Sequence, residues 1–177
     1  MLRLDGTLER IQRWDERVCA RSNRWLHVPA LLVLFRAVSR LGDGLFWYAL
    51  MLALLSASPR AAAGPVLHMA ATGAACTLAY KLLKRGTLRP RPFQSLAHIA
   101  AGAAPLDAYS FPSGHTLHAV AFTLVALAYW PWLAPVLVPF TLLTAASRIA
   151  LGLHYPSDVL AGAALGAAIA SATFAFA

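Results

Sequence analysis

Polar and apolar positions divide this chain into an N-terminal mixed segment and a long series of apolar runs. Between Leu4 and Trp25 the residues Leu4, Leu8, Ile11, Trp14 and Val18 recur at helical spacing, with arginines and acids between them. That is the pattern of an amphipathic helix lying at a membrane interface. From His27 onward, apolar runs cover 27–38, 46–57, 61–83, 115–130, 132–149 and 156–176, separated by short polar joints. The first two runs are shorter than the roughly 20 residues a perpendicular span needs, so they must extend into their neighbours or cross a thinned region. The pattern predicts a single-domain, all-α membrane protein, with residues 1–26 forming an N-terminal interfacial helix and residues 27–177 a six-transmembrane-helix bundle. In the last run, Gly162 and Gly166 make a small-residue face suited to close packing against another helix of the same chain.

The joints carry their own signals. Gly42-Asp43-Gly44 reads as a turn or helix cap, with support of an active site as the sharper alternative. Pro131, between Trp130 and Trp132, marks a membrane interface. The stretch from Lys84 to Phe111 is long for so small a protein, and loops of that length usually have a function. His68 inside the third run reads as a hydrogen-bonded packing residue, and His118 as support for His115 one turn earlier. His98 carries no assignment from sequence.

Composition sharpens the membrane reading. Of 177 residues, 59% are hydrophobic and only 12% charged, far outside the soluble range. The net charge of +8 does not indicate nucleic acid, because the cations fall at the N-terminus and in one loop with apolar spans between them. Phosphate or anionic lipid is the better partner. Cys19 and Cys76 are expected to be free thiols. No signal peptide is expected, since the first two dozen residues lack an early apolar core. Most of the seven acids lie near the N-terminus, and none combines with histidines at metal-ligand spacing, so no metal or other cofactor is expected.

Alternation of six spans places three polar stretches on one face: Lys84 to Arg91, Pro112 to His115, and Arg148 to Asp158. With the arginine-rich N-terminus taken as cytoplasmic, that shared face is the exterior or periplasm. The chemistry of the three stretches is complementary. Pro156 suits the first position of a helix, which makes Tyr155 its cap and Asp158 a first-turn residue. Asp158 can then accept an N–H of His154 and leave the other ring nitrogen bare and nucleophilic. Ser113 and Gly114 open a helix whose free N–H groups form an anion site, with His115 next to it. Lys84, Arg91 and Arg148 bring three positive charges, and arginine's planar fork suits two phosphoryl oxygens. A nucleophile, a proton donor and fixed positive charge are what phosphoryl transfer requires.

These residues resemble a known signature. Lys84, six residues, Arg91-Pro92; then Pro112-Ser113-Gly114-His115; then Ser147-Arg148, five residues, His154, three residues, Asp158: the three parts are similar to those of the type 2 phosphatidic acid phosphatase superfamily, in the same order. The resemblance implies that His154 attacks phosphorus to form a phosphohistidine and that Asp158 orients it. It implies that His115 protonates the leaving oxygen and then activates water, while Lys84, Arg91, Arg148, Ser113 and the Gly114 backbone hold the phosphoryl group. Ser147 could equally pair with backbone, and Arg85 and Arg89 could bind headgroup or face water. The implied activity is metal-independent hydrolysis of a membrane lipid phosphate or diphosphate at the periplasmic face of an inner membrane. Undecaprenyl diphosphate, phosphatidylglycerol phosphate, phosphatidic acid and lipid A phosphate are candidate substrates, with the lipid chain entering sideways between helices. A lipid-to-lipid phosphotransferase and a non-catalytic anion or lipid transporter are the alternatives.

Overall fold

The computed structural model describes residues 2–176, and side chains from residue 6 onward, so Leu4 of the amphipathic pattern lies outside the described side chains. All regular structure among these residues is helical: α1 (Leu2–Asn23), α2 (Pro29–Arg40), α3 (Phe46–Ala57), α4 (Pro59–Thr87), the single turn α5 (Pro92–Ser95), α6 (Gly114–Tyr129), α7 (Ala134–Ala150) and α8 (Pro156–Thr173). Pro29, Pro59, Pro92 and Pro156 each sit in the first turn of a helix, where the missing N–H leaves no bond unmade. By length and composition, four stretches could cross a membrane: Pro29–Ala57, Pro59–Ser95, Pro131–Ala150 and Pro156–Phe176; Gly114–Tyr129 is shorter and apolar.

Side-chain contacts show which helices run the length of the bundle. α3 packs Trp47 against Phe122 of α6 and stacks Phe46 on Phe140 of α7, with ring centroids 5.2 and 3.9 Å apart. Thr123 of α6 and Thr141 of α7 share a hydrogen bond of 2.6 Å. On α8, a Cβ at Gly162 or Gly166 would strike the backbone of Ser113 or Leu117, so these glycines let α8 lie directly on α6. At the end remote from His154, His68 of α4 bonds Tyr129 of α6 at 3.0 Å and Thr173 of α8 at 2.9 Å, which fits the packing role expected of it. Large apolar side chains on the outer surface stay bare, Leu67 of α4 at 70% and Leu160 of α8 at 61% exposure, as lipid-facing residues do.

Two expectations are corrected. The run at 27–38 is not a separate span. It forms α2, whose Phe35 packs with Ala150, Leu151 and Leu153 and whose Arg36 donates to the Gly102 carbonyl at 2.6 Å, all at one end of the bundle. Beyond it, Gly44 adopts φ 124°, a conformation costly for any residue with a Cβ, and the chain turns there into α3. The helices that run between the two ends are therefore α3, α4, α6, α7 and α8. Hydropathy could not separate a short apolar helix covering one end from a short span.

The position of α1 is the second correction. It does not lie across the bundle from the polar stretches. Asp15 accepts the Ser157 backbone N–H at 2.9 Å, and Asn23 bonds the carbonyls of Ala100 and Ala150 at 2.9 and 3.0 Å. The N-terminal helix thus covers the same end as His154. An exterior-facing site was expected on the premise that α1 sat on the opposite side, and that premise does not hold.

Candidate active site

The loop between α7 and α8 is built to present His154 inward. After Arg148 the chain turns through Gly152, whose φ of 70° and whose position 2.7 Å, measured from a built Cβ, from the Ala100 carbonyl leave no room for a side chain. The N–H groups of Leu153 and His154 both donate to the Arg148 carbonyl, at 3.1 and 3.0 Å. Pro156 then starts α8, and the Asp158 carboxylate reaches back to accept the Tyr155 N–H at 2.8 Å, as expected for a first-turn residue. The imidazole is buried.

Asp158 and His154 meet less closely than expected. The His154 Nδ1 lies 3.8 Å from Asp158 Oδ2, within electrostatic range but outside hydrogen-bond distance, and Nδ1 has no hydrogen-bond partner among the described residues. The carboxylate is held by Arg89, whose Nη1 donates to Oδ1 at 2.6 Å. The other ring nitrogen, Nε2, stands 3.3 Å from Arg91 Nη1. Burial first, and then Arg148, Arg91 and Lys84, push the His154 pKa well below its ordinary value, so the ring is neutral with a lone pair available.

Lys84, Arg91 and Arg148 converge on this histidine from three elements. Arg91 is anchored by the Leu153 carbonyl at 2.8 Å, and Lys84 by the Tyr109 carbonyl at 3.1 Å. Arg148 donates from Nη1 to Ser39 of α2, while its Nε is buried with no partner among the described residues. From the other side, α6 delivers His115, whose Nε2 is hydrogen bonded to Asp43 in the turn before α3. These groups line one cavity of about 820 Å³. Its floor leaves the charges behind and runs down between α3 and α4, past Trp47, Met51, Ala70 and Gly73 to Phe122 of α6.

Of the residues singled out from sequence, His154, His115, Lys84, Arg91, Arg148 and Gly114 line this cavity, and Asp158 stands behind His154. Ser113 does not reach it. Its hydroxyl caps α6 by accepting the Thr116 N–H, and it lies 3.0 Å from Thr116 Oγ1. Ser147 bonds the Thr144 carbonyl at 2.7 Å, the backbone pairing that had been left open. His118 is a supporting residue, bonded to Thr77 and to the Gly114 carbonyl. His98 lies exposed in the loop.

Two acids escaped the sequence reading. Asp107 takes both of its oxygens to Lys84 Nζ at 2.6 Å and one to Arg91 Nη2 at 2.7 Å. Burial alone would raise its pKa, but those two cations hold it below the usual carboxylate range, so it is anionic. Asp15 pairs with Arg89 at 2.8 Å, the same arginine that holds Asp158. The only hint in the sequence was the length of the loop carrying Asp107; nothing local marked Asp15.

The profile of the PAP2 superfamily matches residues 61–177, and those residues include Lys84, Arg91, Arg148, His115 and His154 of the cavity. The chain belongs to the PAP2 superfamily. It is 38% identical over 144 residues, 80% of this chain and 77% of the other, to a decaprenylphosphoryl-5-phosphoribose phosphatase of Mycobacterium tuberculosis. It is 41% identical over 101 residues, 54% of this chain and 49% of the other, to the undecaprenyl-diphosphatase BcrC of Bacillus subtilis. In fold it is similar to a transmembrane PAP2-type phosphatidylglycerolphosphate phosphatase of Bacillus subtilis, with a TM-score of 0.73, 23% identity, and coverage of 94% of this chain and 85% of that one. A second solved structure, Aquifex aeolicus LpxE, gives a TM-score of 0.67 at 26% identity, covering 83% and 87%. This PAP2 chain is accordingly a membrane hydrolase of the lipid phosphatase class.

Proposed function

We propose that the protein hydrolyses a membrane lipid phosphate or diphosphate through a phosphohistidine on His154. The observation that carries this reading is the neutral His154 Nε2, set beside Arg91 in a cavity that also holds Lys84, Arg148 and His115. Attack by Nε2 on phosphorus breaks the bond to the leaving oxygen, and His115 supplies the proton that this oxygen takes up. The equatorial oxygens gather charge in that step, and Lys84, Arg91 and the unpartnered Arg148 Nε balance it. His115 then takes a proton from water as the water opens the phosphohistidine, which frees inorganic phosphate. Asp158 compensates the positive charge that develops on the His154 ring.

The apolar extension between α3 and α4 supports a lipid substrate, since it leads from the charged end toward the membrane-level flank of the bundle. The two relatives described above act on polyprenyl-linked substrates, so polyprenyl phosphates and diphosphates are the first to test. The test is phosphate release by purified protein from a panel of polyprenyl, glycerophospholipid and lipid A phosphates. Release from at least one, trapping of labelled phosphate on the wild-type chain, and loss of both in His154→Ala are expected. Normal turnover by His154→Ala would overturn the mechanism, and binding without phosphate release across the panel would overturn the hydrolase reading.

A further inference from the structure

We infer that Asp43 is a positioning residue for the proposed reaction: acting through His115, it fixes which ring nitrogen handles the leaving oxygen's proton and supplies the negative charge that keeps this proton available. This role rests on the phosphatase mechanism proposed above, and it falls to a residue outside the segment 61–177 that the family profile matches.

The turn between α2 and α3 is fitted to one edge of the imidazole. Asp43 Oδ1 is hydrogen bonded to Nε2, the ring's only hydrogen bond among the described residues. Gly42 is buried beside it, and a Cβ built there would stand 3.3 Å from Thr144 Cγ2 and 3.6 Å from His115 Cδ2, so the backbone of the turn is seated on α6 and α7. With Cδ2 and Nε2 covered, the Nδ1–Cε1 edge is the part of the ring left for the cavity, which Asp43 and His115 both line. Asp43 Oδ2 lies 4.0 Å from Arg40, whose side chain is exposed and competes little for the carboxylate. A carboxylate accepts and does not donate, so the neutral ring keeps its proton on Nε2.

The acid step requires such a partner. To protonate a leaving oxygen, His115 must first be an imidazolium, in a cavity that already holds Lys84, Arg91 and Arg148. A fourth positive charge is disfavoured there unless an anion lies against it. The other two carboxylates beside the pocket are already paired, Asp107 with Lys84 and Arg91, and Asp158 with Arg89. Asp43 is the one set against His115. As the bond from phosphorus to the leaving oxygen breaks and the bond to His154 Nε2 forms, the Nδ1 proton of His115 passes to that oxygen, and the ring keeps its Nε2–H on Asp43. Water then gives its proton to Nδ1 as it displaces His154 from phosphorus, which restores the imidazolium.

A bridging sulfur separates this role from a merely structural one, because a thiol is acidic enough to depart as the thiolate without a proton. The probes are farnesyl phosphate and its analogue with sulfur in place of the ester oxygen, each followed through a single turnover. Asp43→Asn keeps the shape and removes the charge. It should release farnesol about 100-fold more slowly than the wild type, yet release the thiol within about threefold of the wild-type rate, with an unchanged melt in detergent. Equal losses on both probes, or no loss on either, would overturn the inference. His115→Ala is the reference and should be spared by sulfur in the same way. If it is spared and Asp43→Asn is not, the acid role stands and the role of Asp43 fails; if it slows equally with both probes, the proton donor of the proposed mechanism fails, and the role of Asp43 with it. Asp43→Ser provides a second neutral side chain should Asp43→Asn fail to fold. The ring-nitrogen NMR resonances of His115, identified by their loss in His115→Ala, give a readout that holds whichever lipid the protein cleaves: Nε2 should carry a proton in the wild type, and a proton on Nδ1 alone would overturn the assignment.

Discussion

Asp107 is a carboxylate bound to two of the cations assigned above to the phosphoryl group, with Lys84 contacting both its oxygens and Arg91 adding a third contact. An incoming anion must displace it from both cations. Asp107→Ala should therefore bind vanadate about fivefold more tightly, or ~1 kcal/mol, as read by inhibition of phosphate release; weaker inhibition would show that the carboxylate instead holds the cations in place. For the nucleophile, His154→Ala should lose about three orders of magnitude or more in kcat, ~4 kcal/mol, while keeping the wild-type melt in detergent. The pairs that made the site legible were local ones. Lys84 and Arg91 share a short stretch, as do Arg148, His154 and Asp158, so spacing alone linked them. Asp107, Asp43 and Asp15 were not readable in that way, because each meets its partner across 16 to 142 residues of chain.

At the scale of elements, α1 is fastened to the site by few bonds. Asp15 is fully buried and joins α1 to Ser157 at the start of α8 and to Arg89 in the loop. Removing Asp15 leaves Arg89 with Asp158 alone and the Ser157 N–H without its acceptor, at a cost of about 2 kcal/mol. Asp15→Ala should lower the melting temperature in detergent accordingly, and it should also lower kcat, because Arg89 holds Asp158 as well. The α6–α8 contact makes a second prediction. A side chain at Gly166 would meet the Leu117 backbone, so Gly166→Val should destabilise the bundle by about 3 kcal/mol or prevent its folding; an unchanged melt would contradict the packing described. Here the sequence was informative, since the Gly162 and Gly166 spacing pointed to a close helix contact within the chain. It was uninformative for α2, whose apolar residues include Phe35 packed on the α7–α8 loop at the bundle's end, and hydropathy cannot distinguish that surface from lipid.

Across the whole molecule, burial and cations combine at one end, with consequences for pH. Because the His154 pKa is held below its ordinary 6.5, the ring keeps its lone pair as the solution is acidified through that value. The acid limb of the rate profile should accordingly fall below pH 6.5, and a limb centred above it would contradict the neutral nucleophile. Stability should move in the opposite sense. The unfolded imidazole takes up a proton below about 6.5 while the buried one does not, so the stability that His154 contributes is present above that pH and is lost as pH falls, which detergent melts between pH 7.5 and 5.5 would show.

The cavity's lining continues from the charged end past Trp47 and Met51 of α3 and Ala70 and Gly73 of α4, the route by which a lipid substrate is proposed to enter. A substrate that arrives by that route is encountered at its surface mole fraction, not at its molar concentration in the tube. Adding inert detergent at constant total substrate should therefore slow the enzyme, and its rates become comparable between preparations only when expressed per fraction of the micelle or vesicle that the substrate occupies.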